Sequence, residues 1–214
     1  MTVAEDGRDD GGARRGKPPG AYHHGSLRRA LLEAAEAILE REGVQGLTLR
    51  AAARDAGVSH AAPKNHFGDL AGLLSDLAAS GFERLRDELL ARTRPGQSAA
   101  ERKAAIGYGY VAFARAHPGL FQLMFRSERL DPRRPALASA MQAAFQVLAG
   151  TAGVPAEPAA AASPAQVADI AAAWSIVHGF AMLMLDGRLK PLLARLPPGS
   201  DEMDLLRTAL DRTR

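Results

Sequence analysis

Between Thr48 and Phe67 the chain gathers side chains suited to hydrogen-bonding an anion or a base edge: Thr48, Arg50, Ser59, His60, Lys64, Asn65 and His66, with the small Ala61 and Ala62 among them. Cations neutralise phosphates and hydroxyls bond phosphate oxygens, whereas Asn and His present donor and acceptor groups that discriminate bases in a major groove. Alanine methyls suit contact with thymine methyls. On this reading Thr48, Arg50, Ser59 and Lys64 position the backbone, and His60, Asn65 and His66 address base edges. Chemistry of bond-making is poorly served. The chain has no cysteine, no Gly-x-Ser-x-Gly elbow, no phosphate loop and no dinucleotide fingerprint. His178 and Asp186 lie about two helical turns apart, too distant to touch directly. The histidines His23, His24, His60, His66, His117 and His178 form no i, i+4 pair with an acidic partner, so no metal and no cofactor is expected, and no enzyme.

The elements that must hold these side chains can be read from the same stretch. Thr48 is an N-cap for a helix over Leu49 to Ala56, with Leu49, Ala52, Ala53 and Ala56 on one face. Gly57 supplies the positive φ that ends it, Val58 plugs the corner, and Ser59 caps the next helix. Pro63 falls in that helix's first turns, where a missing N–H costs least. Small residues at Ala52 and Ala53 let the two helices cross closely. The result is a helix-turn-helix over 48–67. The competing reading is a plain helical hairpin in an Ala-rich protein.

The flanks decide between them. The run Tyr22-His-His-Gly-Ser-Leu-Arg-Arg-Ala-Leu-Leu-Glu-Ala-Ala, then Gly43, Leu47-Thr-Leu, Ala56-Gly-Val-Ser59, His66-Phe67 and Leu73-Leu74 resembles the N-terminal domain of TetR-family transcriptional regulators. The resemblance implies a sequence-specific regulator, a repressor more often than an activator, with double-stranded operator DNA as partner. Two positions depart from the family pattern. Lys64 stands where a phosphate-contacting tyrosine is usual, and Leu70 where a lysine is usual. Lys64 still meets a phosphate as a point charge; Leu70 does not.

Charge follows the same division. Residues 1–10 hold Glu5, Asp6, Asp9 and Asp10 against Arg8, whereas residues 11–67 hold nine basic against five acidic residues. Positive charge therefore lies where phosphates would be neutralised. Residues 1–20 read as a disordered arm whose stretch from Gly11 to Gly20, rich in Gly, Arg and Pro, is able to lay Arg14, Arg15 and Lys17 along DNA or to be idle. The start lacks the charged and apolar regions of a secretory signal, and the apolar run Ile170 to Leu185 falls short of the ~20 residues of a membrane span. A cytoplasmic protein without a membrane partner is expected.

Helix follows helix through the rest, giving an all-α chain: a three-helix head over 21–68 and a helical body over 69–214. Ser26 caps a first helix to Glu42. A fourth spans about Asp69 to Thr93, and Ser98 with Glu101 is a capping box opening a fifth that His117-Pro118 ends. Pro118 to Phe125 and Pro135 to Thr151 follow. Ser163-Pro-Ala-Gln166 opens a helix to Asp186, and a last one begins after Ser200 and runs to about Thr213.

Trp174-Ser-Ile-Val-His178-Gly179, with His117-Pro-Gly-Leu-Phe-Gln-Leu-Met124, resembles the C-terminal domain of a Trp…His-Gly subgroup of the same family. That resemblance implies a homodimer through the last two long helices and a pocket for a small-molecule effector. Phe113, Phe121, Met124, Phe125, Met141, Phe145 and Trp174 could line it for a largely apolar ligand, or fill a core. His178 could anchor a ligand or be a hydrogen-bonded core histidine. A helical adaptor that binds only protein is the other class of function these elements could serve.

Overall fold

The structure is a computed structural model describing residues 21–154 and 162–212. The 1–20 arm lies outside the described residues. Every regular element among them is helical.

The head is α1 (Ala21–Gly46), α2 (Leu49–Asp55) and α3 (Ala62–Phe67). Helix α1 begins at Ala21, so Ser26 lies inside the helix and does not cap it. Its expected end at Glu42 coincides with a backbone break at Gly43, where φ is 70°. Leu31, Ala35, Ile38 and Leu39 form its buried stripe. Thr48 caps α2 by accepting from the Ala51 amide at 3.0 Å. The helix then closes in a Schellman motif: the Val58 amide donates to Ala53 O, the Gly57 amide to Arg54 O, and Gly57 takes φ 66°.

The chain from Ser59 to Ala61 departs from expectation. The N-cap of α3 is Ala61, and Ser59 contributes only its carbonyl, which accepts from the Ala62 amide at 3.0 Å. Gly57 turns the chain so tightly that a further turn of backbone precedes the helix, and Pro63 in its first turn needs no donor there. Helix α3 is consequently only six residues long.

The body comprises α4 (Leu70–Ala91), α5 (Ala99–Ala116), α6 (Pro118–Met124), α7 (Pro135–Gly150), α8 (Pro164–Leu185), the short α9 (Lys190–Leu193) and α10 (Glu202–Asp211), with a 3₁₀ turn at Ser127–Arg129. Asp69 caps α4, and the capping boxes at Ser98–Glu101 and Ser163–Gln166 both form. The last helix begins after Ser200 as expected, capped by Asp201, whose carboxylate accepts from the Met203 and Asp204 amides.

Helix α4 joins the two parts. Its buried face, from Leu73 to Leu89, meets α1 and α3 on one side and α5, α6 and α7 on the other. A single buried cluster therefore runs from Leu31 to Leu210 without a break between head and body. Three polar ties reinforce it. Glu40 of α1 accepts from the first-turn amides of α6 at Gly119 (2.9 Å) and Leu120 (3.0 Å). Arg84 of α4 grips Glu36 at 2.7 Å and meets the ring of His117. Asp76 of α4 binds Arg28 at 2.9 Å and Arg134 at 3.2 Å.

Helix α8, 22 residues long, exceeds the apolar run that marks it in the sequence, and by length and composition it could cross a membrane. It is instead fastened to α5 by Ile170, Val177 and Ala181 and by the polar contacts of Trp174 and His178 described below.

Candidate nucleic-acid interface and effector pocket

The helix-turn-helix presents a defined polar surface. Thr48, Arg50, Ser59, His60, Ala61, Lys64 and Asn65 are exposed, and His66 is half-buried with its ring 6.2 Å from that of Phe67. They come from the start of α2, the turn, and the outward side of α3. Phe67 faces inward and is sealed beneath Arg28, whose guanidinium carbon stands 5.7 Å from the ring centre. Ala62 is the exception to the expected set. At 8% exposure it packs in the head's core beside Pro63, since an amphipathic helix this short must commit its first turn to the interior. The thymine-methyl contact assigned to Ala62 is therefore withdrawn, while Ala61 stays at the surface. Leu70 is half-buried against the core, which is where an apolar side chain at that position belongs.

In the body a cavity of about 550 Å³ opens between α4, α6, α7 and α8 and the segment joining α6 to α7. Four of the expected residues line it: Met124, Phe125, Met141 and Trp174. Met141 and Trp174 are among the most exposed large apolar side chains, as befits a pocket rim. The others fall elsewhere. Phe121 and Phe113 are buried in the core, Phe113 against His117 at 5.1 Å, and Phe145 on α7 is exposed and does not line the cavity. The sequence reading missed Phe82, Leu130, Pro132, Leu137, Ala138 and Gln142. Phe82 lies on a helix that reads as a linker, and Leu130 and Pro132 lie in an irregular segment with no periodicity to follow. Ala138, one turn before Met141, and Gln142, one turn after Ala138, were the available signal.

Behind this wall, Trp174 and His178, one turn apart on α8, converge on Tyr110 of α5. The Trp174 Nε1–H donates to the Tyr110 hydroxyl at 3.3 Å, and the hydroxyl stands 2.9 Å from His178 Nδ1. Tyr110 is buried, which raises its phenol far above the usual range, so the hydroxyl keeps its proton. Burial also lowers the pKa of His178, favouring the neutral ring that can accept. The His178 ring packs on Phe125 at 4.6 Å and Phe121 at 5.7 Å. His178 is thus a half-buried, hydrogen-bonded histidine that is not among the residues lining the cavity. Among the described residues no group of three or more His, Asp or Glu is placed to hold a metal ion.

Residues 104–211, half of the chain, match the model of the family described as tetracyclin repressor-like, C-terminal domain. The chain belongs to the TetR family. That match bears on the family and not on the Trp…His-Gly subgroup. A relative in Bacillus subtilis (strain 168), the uncharacterized HTH-type transcriptional regulator YobS, is 29% identical over 100 residues, covering 46% of this chain and 51% of its own length. The chain thus spans about half the length of that curated relative. A protein of unknown function from Rhodococcus sp. RHA1 is 36% identical, with TM-score 0.71 over 92% of this chain and 96% of its own. A regulatory protein in the TetR family, also from Rhodococcus RHA1, shares the fold at 16% identity, with TM-score 0.61 over 87% of this chain and 94% of its own.

Proposed function

We propose that this TetR-family protein is a homodimeric transcriptional repressor that reads a palindromic operator with α3 and releases it when an uncharged, largely apolar molecule fills the body cavity. The observation that carries the reading is the outward array on the helix-turn-helix: Lys64 and Asn65 exposed on α3, with Thr48, Arg50 and His60 exposed beside them. Lys64, Arg50, Thr48 and Ser59 meet phosphates; Asn65 and His60 meet base edges, with Ala61 beside a thymine methyl and His66 partly withdrawn. Two such helices, one per protomer, enter successive major grooves about 34–36 Å apart.

The cavity's chemistry narrows the effector. Its lining holds no charged side chain, and the indole N–H of Trp174 is engaged by Tyr110, which leaves the Gln142 amide as the polar group available to a ligand. A neutral ligand with one hydrogen-bonding group fits this; a carboxylate would be left uncompensated. Dimerisation is supported by α8, whose face opposite Ile170, Val177 and Ala181 exposes Ala168, Ala172, Ser175 and Leu183. Small residues there permit close approach of a second helix. The protein acts on DNA in the cytoplasm, and no catalytic step is part of this function.

Selection of bound duplexes from a random DNA library tests the reading. A twofold-symmetric site with half-sites one helical turn apart is expected; recovery of no sequence preference contradicts it.

A further inference from the structure

Among the described residues, the buried polar side chains Ser75 and Asp76 are consecutive on α4, and each makes a hydrogen bond with the segment 131–134, Asp76 in addition to the bond its other oxygen accepts from Arg28 of α1. Ser75 Oγ donates to Ala71 O at 2.7 Å and accepts from the Asp131 amide at 2.8 Å. Asp76, 7% exposed, accepts from Arg134 at 3.2 Å. The other arm of the Arg134 guanidinium donates to the carbonyl oxygen of Phe67, in the last turn of α3. Burying polar groups is costly unless they are paired, so this double fastening is a built feature of the core. Gly72 belongs to it: a methyl there would collide with both the Phe67 carbonyl and the Arg134 guanidinium.

Arg134 is also the N-cap residue of α7. On one side of it in the chain lie Leu130 and Pro132, on the other Leu137 and Ala138, and all four line the cavity. One side chain therefore spans from the cavity wall to the end of the recognition helix. A planar guanidinium can hold a carboxylate with one nitrogen and a carbonyl with another, which an ammonium cannot do in the same geometry.

We propose that Arg134 is a positioning residue: it sets the orientation of α3 on DNA and conveys to it any displacement of the cavity wall. This rests on the reading of α3 as the DNA-reading helix and of the cavity as the effector site. Because Arg134 acts on the Phe67 carbonyl and not on a phosphate, its removal weakens operator binding without changing the number of phosphates neutralised.

The test uses the full-length protein and the duplex it selects from a random library. Arg134→Ala is expected to weaken binding about tenfold, with an unchanged slope of log K against log salt. Arg134→Lys keeps the charge beside Asp76 but loses the fork, and is expected to show a comparable loss while folding normally. Ala138→Trp fills the cavity in place of a ligand; it is expected to weaken binding in the otherwise wild-type protein and to have little further effect combined with Arg134→Lys. Unchanged affinity in folded Arg134→Lys overturns the positioning role, as does a slope reduced by about one unit, which marks a direct phosphate contact. No effect of Ala138→Trp, or full additivity, overturns the relay. If the wild-type protein selects no duplex, it is the operator-binding reading that fails.

Discussion

The hydroxyl of Tyr110 stands 2.9 Å from Nδ1 of His178 and ties α5 to α8 in the middle of the body. The same hydroxyl takes the Trp174 indole N–H, so removing one oxygen strands two polar groups. Tyr110→Phe is expected to cost about 1–3 kcal/mol of stability, read as a lowered midpoint in chemical denaturation.

That contact also has a pH signature. Burial depresses the pKa of His178 in the folded protein, so between the folded and unfolded values the unfolded chain binds more protons and stability rises with pH. The stabilisation is full above the ordinary histidine value of about 6.5 and declines as pH falls toward the folded value. Melting temperatures from pH 5 to pH 8 should show this decline, and His178→Gln should flatten it; an identical profile in the variant would exclude His178 as the source.

Glu40 reaches from the head to the first turn of α6, where its carboxylate takes the amides of Gly119 and Leu120. This is an N-terminal cap supplied by another helix. Glu40→Ala should lower stability by about 1 kcal/mol, with Glu40→Gln intermediate, since the amide oxygen accepts one bond without the charge. Thermal denaturation of the three proteins checks the order.

Ala172 faces outward on α8. Ala172→Glu places a carboxylate in the proposed interface between protomers and is expected to shift the protein from dimer to monomer in light scattering, with operator affinity falling accordingly. A variant that remains dimeric would move the interface elsewhere.

The cavity lining predicts which ligands stabilise the protein. Neutral aromatic or aliphatic compounds with one hydrogen-bonding group should raise the melting temperature, and the corresponding carboxylates should not. Gln142→Leu should selectively weaken the compounds that carry the polar group.

Helix starts were legible because the side chains that cap them are local: Thr48, Asp69, Ser98 and Ser163 each accept from the amide three residues on. Gly57 was legible because a positive φ has few suitable residues. The start of α3 was not, since Ser59 competes with the turn geometry that Gly57 imposes. The division of Phe113, Phe121 and Phe145 from Phe125 was also hidden. Periodicity states that a face is apolar; whether it meets a core or a cavity depends on how α4, α6 and α7 diverge. Arg134 carries no motif at all, and its role exists only because α4 places Asp76 beside the end of α3.

The central claim is that α3 reads bases through Asn65 while Lys64 supplies charge. Binding of Asn65→Ala and Lys64→Ala to a set of singly substituted operators at several salt concentrations tests it most directly. Asn65→Ala should relax discrimination at one base pair of each half-site, a change of about 1–3 kcal/mol. Lys64→Ala should weaken all sequences alike and reduce the salt slope by about one per half-site. A uniform loss of affinity in Asn65→Ala, with discrimination intact at every position, would contradict the account.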